Sequence, residues 1–283
     1  MKTFNCRSIL CTPILLNAKH NLDYDGLLFD LEDSISINNK EEARRLLPNC
    51  IKATRENNTK TIYARVNSIR CRLGILDLME ILSSGIAPDI IILPKVETIE
   101  EIMCAYQMLI HDFPNTKIQV VIETAKGLSA IGYILNKVKF IHGLIFGAAD
   151  FSADIGSDLN WDSLSLYRAE LVKIGRINNL QVIDSPCFDY QNHERLKKEI
   201  ILGYQLGFTG KVAIHPSQIP FINDGYLPTK EDINESHLII EAANKQSTQI
   251  FKLNGRMIGP PIVKRAKRLI EKYQTYTVNK GSI

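Results

Sequence analysis

Two carboxylates, one guanidinium and a run of small residues carry the chemistry that this sequence could do. Glu123 closes the apolar run IQVVIE (118–123), and Asp150 follows the next one within GLIFGAADFSADIG (143–156). Gly147, Ala148 and Ala149, just before Asp150, let a charged ligand come close to backbone N–H groups, and the Asp can hold a hard cation. If both runs are neighbouring strands, about 4.8 Å apart, Glu123 and Asp150 can share one divalent ion. All-oxygen ligation with room for water and substrate favours Mg²⁺ over zinc. The other reading of Asp150 is a helix cap, with the small residues only packing. Arg65 is a fixed donor fork suited to a carboxylate or a developing oxyanion. It can also form a structural ion pair with Glu32 or Asp33, and that pair could orient it. Lys95 could form a Schiff base, but charge balance among several carboxylates is the preferred role. His215 reads as a core or capping histidine rather than a ligand.

These groups need elements that bring them together. Eight short, nearly continuous apolar runs recur: 8–13, 26–30, 61–66, 89–94, 118–123, 143–146, 180–184 and 211–215. Such runs suit parallel strands covered on both faces. Helical patterns separate most of them. Thr98 and Glu101 suggest a capping box for a helix reaching about 111, and Asp162 can cap a helix through Leu164, Leu171 and Ile174. A further helical pattern covers 189–206. Pro48 is expected to break or restart the helix after Lys40, and the crossover 14–25 is near the minimum for a helical return. The pattern predicts an α/β fold, a (β/α)₈ TIM barrel over 1–220 with a C-terminal loop and helical extension over 221–283. Residues 221–236 read as loop, followed by helices near 231–246 and 261–273. A doubly wound sheet is the alternative, but no Gly-x-Gly-x-x-Gly follows the first run. The carboxyl ends of the runs carry Asp30 to Asp33, Arg65 with Asn67, Lys95 with Glu97, Glu123, Asp150, Asp184 and His215. A barrel would gather these on the face where active sites lie.

Composition narrows the function classes. The 283 residues are 45% hydrophobic and 23% charged, with a net charge of +3 that gives no reason to expect nucleic acid or an acidic membrane as partner. The basic residues Lys264, Arg265, Lys267 and Arg268 read as the solvated face of a last helix. The six cysteines form no C-x-x-C pair, so reduced thiols and a cytoplasmic location are expected. Pro13 interrupts the apolar run near the start, no cleavage site stands clear of it, and no run of about eighteen apolar residues occurs. Neither a secretory leader nor a membrane span is expected.

Several stretches, in order, resemble the HpcH/HpaI aldolase and citrate lyase β-subunit family, in its citrate lyase β-like branch. They are Arg7-Ser8, FDLEDS (29–34) with Lys40 and Ala43-Arg44, and ARVN (64–67). LPKVET (93–98), IETAKG (122–127), FGAADFSADIG (146–156) and GFTGKVAIHPSQI (207–219) follow. The resemblance implies a (β/α)₈ barrel assembled as a homotrimer or homohexamer. It implies Mg²⁺ on Glu123 and Asp150, Arg65 as a substrate-binding residue, and a keto-acid carboxylate at the backbone of Gly147, Ala148, Ala149 and Asp150. It also implies cleavage or formation of a C–C bond next to a carbonyl, releasing oxaloacetate, pyruvate or glyoxylate from a hydroxy acid or its coenzyme A thioester. Arg65 would support the enolate oxyanion. Glu32, Asp33 and a water on the metal are the candidate bases. Family members commonly carry an Asp before the last helix that enters a neighbouring subunit's site, where this chain has Gly259. The loop after Pro13 is also short and lacks an Arg-rich turn. Both departures weaken the thioester assignment. A malyl-type thioester hydrolase and a non-catalytic keto-acid-binding subunit are the alternatives.

Overall fold

Eight parallel strands close into a barrel in sequence order in the computed structural model, which describes residues 6–15, 23–57, 60–246 and 248–278. They are β1 (Ser8–Pro13), β2 (Gly26–Asp30), β3 (Thr61–Arg65), β4 (Ile90–Leu93), β5 (Lys117–Ile122), β6 (Ile141–Phe146), β7 (Gln181–Asp184) and β8 (Gly210–Ala213). β1 pairs with both β2 and β8, which closes the sheet. On β4 the side chains of Ile90 and Ile92 join the inner core with Leu28, Tyr63, Val121 and Val212. Ile91 and Leu93, which point the other way, are just as buried. Burial on both faces is why these strands are continuous apolar runs, and each buried aliphatic side chain contributes roughly 1.5–3 kcal/mol.

Helices α1 (Lys40–Asn57), α2 (Arg72–Ser84), α3 (Ile99–Ile110), α4 (Ala125–Lys137), α5 (Ala148–Ile155), α6 (Trp161–Ile177) and α7 (His193–Leu206) connect β2 through β8. Several local expectations need correction. α1 runs through Pro48 without a break, because Leu47 and Ile51 are fully buried on either side and their packing offsets the lost backbone bond. α6 is capped by Asn160, whose side chain accepts from the Ser163 N–H, while Asp162 sits in the first turn. Thr98 opens α3 with no side-chain cap bond, since Glu101 instead accepts from the Glu97 N–H at 3.4 Å. α7 begins only after Asn192, which caps it through the Arg195 N–H. The expected loop at 221–236 holds most of α8 (Ile219–Gly225) and the start of α9 (Lys230–Lys245). Most of the crossover 14–25 lies outside the described residues.

The chain divides into two compact units, Met1–Asn223 and Asp224–Ile283. In the second, α9 opens on a full capping box between Thr229 and Asp232, and α10 (Pro260–Val278) is the last described element. An antiparallel hairpin of β9 (Phe251–Leu253) and β10 (Arg256–Ile258) lies between them. Ile239, Phe251, Ile258 and Ala266 form the core of this unit. The hairpin was not expected, although Asn254-Gly255 is a strong signal for one. Both residues adopt positive φ, 49° and 80°, which a two-residue turn of this kind requires and glycine adopts freely. Lys264, Arg265, Lys267 and Arg268 are exposed on α10. Among the described residues, no helix is long and apolar enough to cross a membrane.

Candidate active site at the carboxyl end of the barrel

Register decides how Arg65 is held. Asp30 and Arg65 end β2 and β3 as direct partners across the sheet. The Arg65 fork therefore donates from Nε and Nη2 to the two Asp30 oxygens, both at 2.7 Å. Its remaining nitrogen, Nη1, lies 3.2 Å from Glu32 Oε2 and 3.5 Å from Asp33 Oδ2. The expected pairing with Glu32 or Asp33 is present, but the bidentate partner is Asp30. Asp30 also accepts from the N–H groups of Glu32 and Ser34, at 3.0 and 3.1 Å. Burial pushes the Asp30 carboxyl up, but the hydrogen bonds and charge of Arg65 outweigh it and hold Asp30 below the usual range. For Glu32 the balance is reversed: burial dominates and keeps its carboxyl above the usual range despite Arg65.

The loop bearing Glu32 and Asp33 is pinned from below. Lys40 donates to the carbonyls of Leu31 and Glu32 and to Asn67 Oδ1, at 2.7, 2.6 and 2.7 Å. Asn67 in turn donates its N–H and its side-chain amide to buried Asp77, which is paired with Arg44 at 2.8 Å. An ammonium with all three donors used on the loop and its neighbour restricts where the two acids can sit.

Lys95 joins the two halves of the acidic cluster. Its backbone is left-handed, with φ at 55°, and its N–H donates to Glu123 Oε1 at 2.6 Å. Its carbonyl accepts from Arg70, which also grips Glu97 at 2.8 Å, so the unusual turn is held from outside. The Lys95 ammonium lies 3.0 Å from Glu32, 3.6 Å from Asp33 and 3.9 Å from Asp150. Burial pushes its pKa down, but Glu32 and the charges of Asp33 and Glu123 raise it well above the ordinary lysine value. A lysine held protonated in this way serves charge balance and is a poor Schiff-base nucleophile.

Glu123 is only 2% exposed, and its carboxyl is pushed up to about 8, by burial first and then by the negative charges of Glu32 and Asp150. Gly147 explains how β6 comes so near. A Cβ there would stand 2.5 Å from Glu123 Cβ and 2.8 Å from Glu123 Oε2, closer than any side chain could be tolerated. Gly147 is the N-cap of α5, and Asp150 is the third residue of that helix rather than its cap, with its side chain 43% exposed. The first N–H groups of a helix have no intrahelical partner, so those of Ala148 and Ala149 are available to an anion.

Asp30, Asp33, Arg65, Glu123 and 147–150 line one cavity of about 340 Å³. Glu32 stands behind it, tied to Arg65 and Lys95. Two expected strand-end groups lie elsewhere. Asp184 is wholly buried between Lys211 and Arg168, at 2.8 and 2.9 Å. His215 caps the turn after β8 by accepting from the Ser217 N–H at 3.2 Å, and it stacks on Tyr190. Cys11, Ser185, Phe188 and Ile214 also line the cavity and were missed. Alternation along β1 from inward-facing Ile9 is the one signal that points to Cys11.

An all-oxygen donor set of two carboxylates fits a hard divalent ion such as Mg²⁺. The electrostatics fit it as well, since Glu123 is raised by the surplus of negative charge that such an ion would neutralise.

The sequence profile described as HpcH/HpaI aldolase/citrate lyase matches residues 9–216. Citrate lyase subunit beta of Haemophilus influenzae is 28% identical, over 94% of this chain and 96% of the relative. Mitochondrial citramalyl-CoA lyase of Homo sapiens is 29% identical, over 88% of this chain and 79% of the relative. The crystal structure of RipC from Yersinia pestis is 35% identical, covers 82% of this chain and 100% of its own, and superposes with a TM-score of 0.72. CitE from Mycobacterium tuberculosis, solved with magnesium, acetoacetate and coenzyme A, shares the fold with a TM-score of 0.78 at 22% identity, over 95% of this chain and 98% of its own.

Proposed function

From the membership of this chain in the HpcH/HpaI aldolase/citrate lyase family, we propose that it is a Mg²⁺-dependent carbon–carbon lyase of the aldol or Claisen type. Its substrate is a hydroxy acid or the coenzyme A thioester of one, and a 2-oxo acid is released. The names of the citrate lyase and citramalyl-CoA lyase relatives support the reaction class. The observation that carries the reading is a buried carboxylate pushed up to about 8 that shares one cavity with Asp150 and a locked arginine fork.

Glu123 and Asp150 would hold the ion. When bound, Mg²⁺ supplies Lewis acidity at the carbonyl oxygen beside the bond that breaks. The α5 N-terminus, at Ala148 and Ala149, receives the oxo-acid carboxylate. Arg65 is fixed by Asp30, so Nη1 can support a developing oxyanion without rearranging. Asp33 is the base that takes the hydroxyl proton, because it lines the cavity and is half exposed. The electron pair of the broken C–C bond passes to the enolate, which is then protonated on carbon. Glu32 orients Arg65 and Lys95. Replacing Glu123 by Ala should remove Mg²⁺ binding and activity together, and full activity in that variant would sink the site. Asp33→Asn should lower kcat while Mg²⁺ still binds.

Gly259 favours a second reading, a subunit that binds keto acids without turning them over. Among the described residues its Cβ position meets only Pro261 and Ile250, at 3.8 and 4.0 Å, so an acid could be accommodated there. Turnover measured with and without Gly259→Asp separates the two readings. A homotrimer or homohexamer is part of the proposal, with exposed Leu238, Ile250 and Met257 of the second unit at a subunit contact; light scattering tests it. The six free thiols support a cytoplasmic location.

A further inference from the structure

The lyase reading leaves the oxo acid unspecified, and the cavity walls narrow it. Among the described residues that line the cavity, the charged ones lie on one side of the barrel mouth. β2 to β6 and the loops after them bring Asp30, Asp33, Arg65, Glu123 and Asp150. β1, together with β7, β8 and the loops after those two, brings Cys11, Ser185, Pro186, Phe188, Val212 and Ile214. None of these six is charged, and burial pushes the Cys11 thiol up to about 12, so it stays neutral as well. Beneath the polar ring the floor is closed by Leu28, Ile92, Val121 and Ile145.

The cations are already committed. Arg65 spends Nε and Nη2 on Asp30, and its remaining nitrogen, which faces the reacting oxygen in the lyase reading, already lies 3.2 Å from Glu32 and 3.5 Å from Asp33. Lys95 lies among Glu32, Asp33 and Asp150. A ligand held at Glu123, Asp150 and the start of α5 must project its remaining carbon onto the uncharged wall. There an alkyl group gains contacts, whereas a second carboxylate loses water and meets no cationic side chain among the described residues lining that wall.

We propose that the cavity selects a 2-oxo monocarboxylic acid with a short alkyl substituent, seated against Val212, Ile214 and Ile145, and discriminates against dicarboxylic oxo acids. This inference rests on the lyase reading. Each buried methylene should tighten binding about fourfold while space remains. A carboxylate pressed on the same wall should weaken it at least about tenfold.

Calorimetric titration of the full chain in saturating Mg²⁺ tests this with glyoxylate, pyruvate, 2-oxobutyrate and freshly dissolved oxaloacetate. Pyruvate and 2-oxobutyrate should bind at least about threefold more tightly than glyoxylate and at least about tenfold more tightly than oxaloacetate. Ile214 is 38% exposed, so Ile214→Arg should fold; it should favour oxaloacetate and cut the preference for pyruvate by about fivefold or more. Oxaloacetate binding within tenfold of pyruvate overturns the proposal while leaving the lyase reading intact. An unchanged preference in the Arg variant also overturns the assignment of this wall. If none of the acids binds in Mg²⁺, both readings fail. Should the variant not fold, the wild-type series decides alone.

Discussion

Replacing Glu123 by Gln should make the metal-free protein more stable while removing its response to Mg²⁺. The Glu123 carboxyl titrates at about 8 in the folded chain, against an ordinary value of 4.5, chiefly through burial and then through Glu32 and Asp150. Between those two values the folded state binds the proton that the unfolded state has released. Wild-type stability therefore falls as pH rises through that window. At pH 7 the folded protein carries the free energy of protonating an ordinary carboxyl, roughly 3 kcal/mol. Gln bears no such penalty, and its carbonyl can still accept the Lys95 N–H that now reaches Oε1 at 2.6 Å. Urea denaturation, followed by circular dichroism and by fluorescence of the single tryptophan, Trp161, would measure the difference in chelator. The variant should exceed wild type by roughly 3 kcal/mol at pH 7, and the gap should close towards pH 4.5. With Mg²⁺ at a hundred times its dissociation constant, wild type should gain ~2.7 kcal/mol and the variant nothing. A variant no more stable than wild type at pH 7 without metal would refute the electrostatic argument. Equal stabilisation of both proteins by Mg²⁺ would refute the ligand assignment.

Further outcomes follow from the same geometry. Arg65→Lys keeps the charge but loses the fork on Asp30, so kcat/KM should fall roughly 10²–10³-fold with Mg²⁺ affinity little changed, as steady-state kinetics and calorimetry would show. Gly147→Ala places a methyl 2.5 Å from Glu123 Cβ; it should destabilise by about 1–3 kcal/mol in urea and weaken Mg²⁺ binding by more than tenfold. Asp184→Asn removes the buried carboxylate that Lys211 and Arg168 share, leaving Lys211 with Glu199 at 3.1 Å, and a loss of about 3–5 kcal/mol is expected in denaturation, with oxo-acid affinity unaltered in whatever folds.

Much of the barrel is legible residue by residue. Strands buried on both faces must be apolar throughout, so IQVVI and GLIF announce themselves, and boundaries shift by only one or two residues. Local rules failed where packing overrode them. Pro48 stays inside α1 because its neighbours are core residues. Thr98 and Asp162 lost their capping roles to the side chains and backbone that tertiary contacts placed nearby. The Asn254-Gly255 hairpin was legible and missed, since the stretch around it reads as loop.

The order of chemical groups along the chain is a property of sequence alone. Acids, arginine, lysine and glycine stand at the ends of successive apolar runs, and this already points to one polar face on a closed barrel. Which groups touch is a property of the folded chain. Strand register pairs Asp30 with Arg65, a left-handed Lys95 turns its N–H to Glu123, and Gly147 lets β6 lie against that carboxylate. Asp184, at a strand end like the others, went instead to a buried ion pair. The charge-free wall of Cys11, Ser185, Val212 and Ile214 exists only once β1 has met β8. Spacing along one dimension can place a residue at a strand end. The electrostatic state of that residue depends on what surrounds it in three dimensions, which is why Glu123 is pushed up to about 8 and Asp30 is held low.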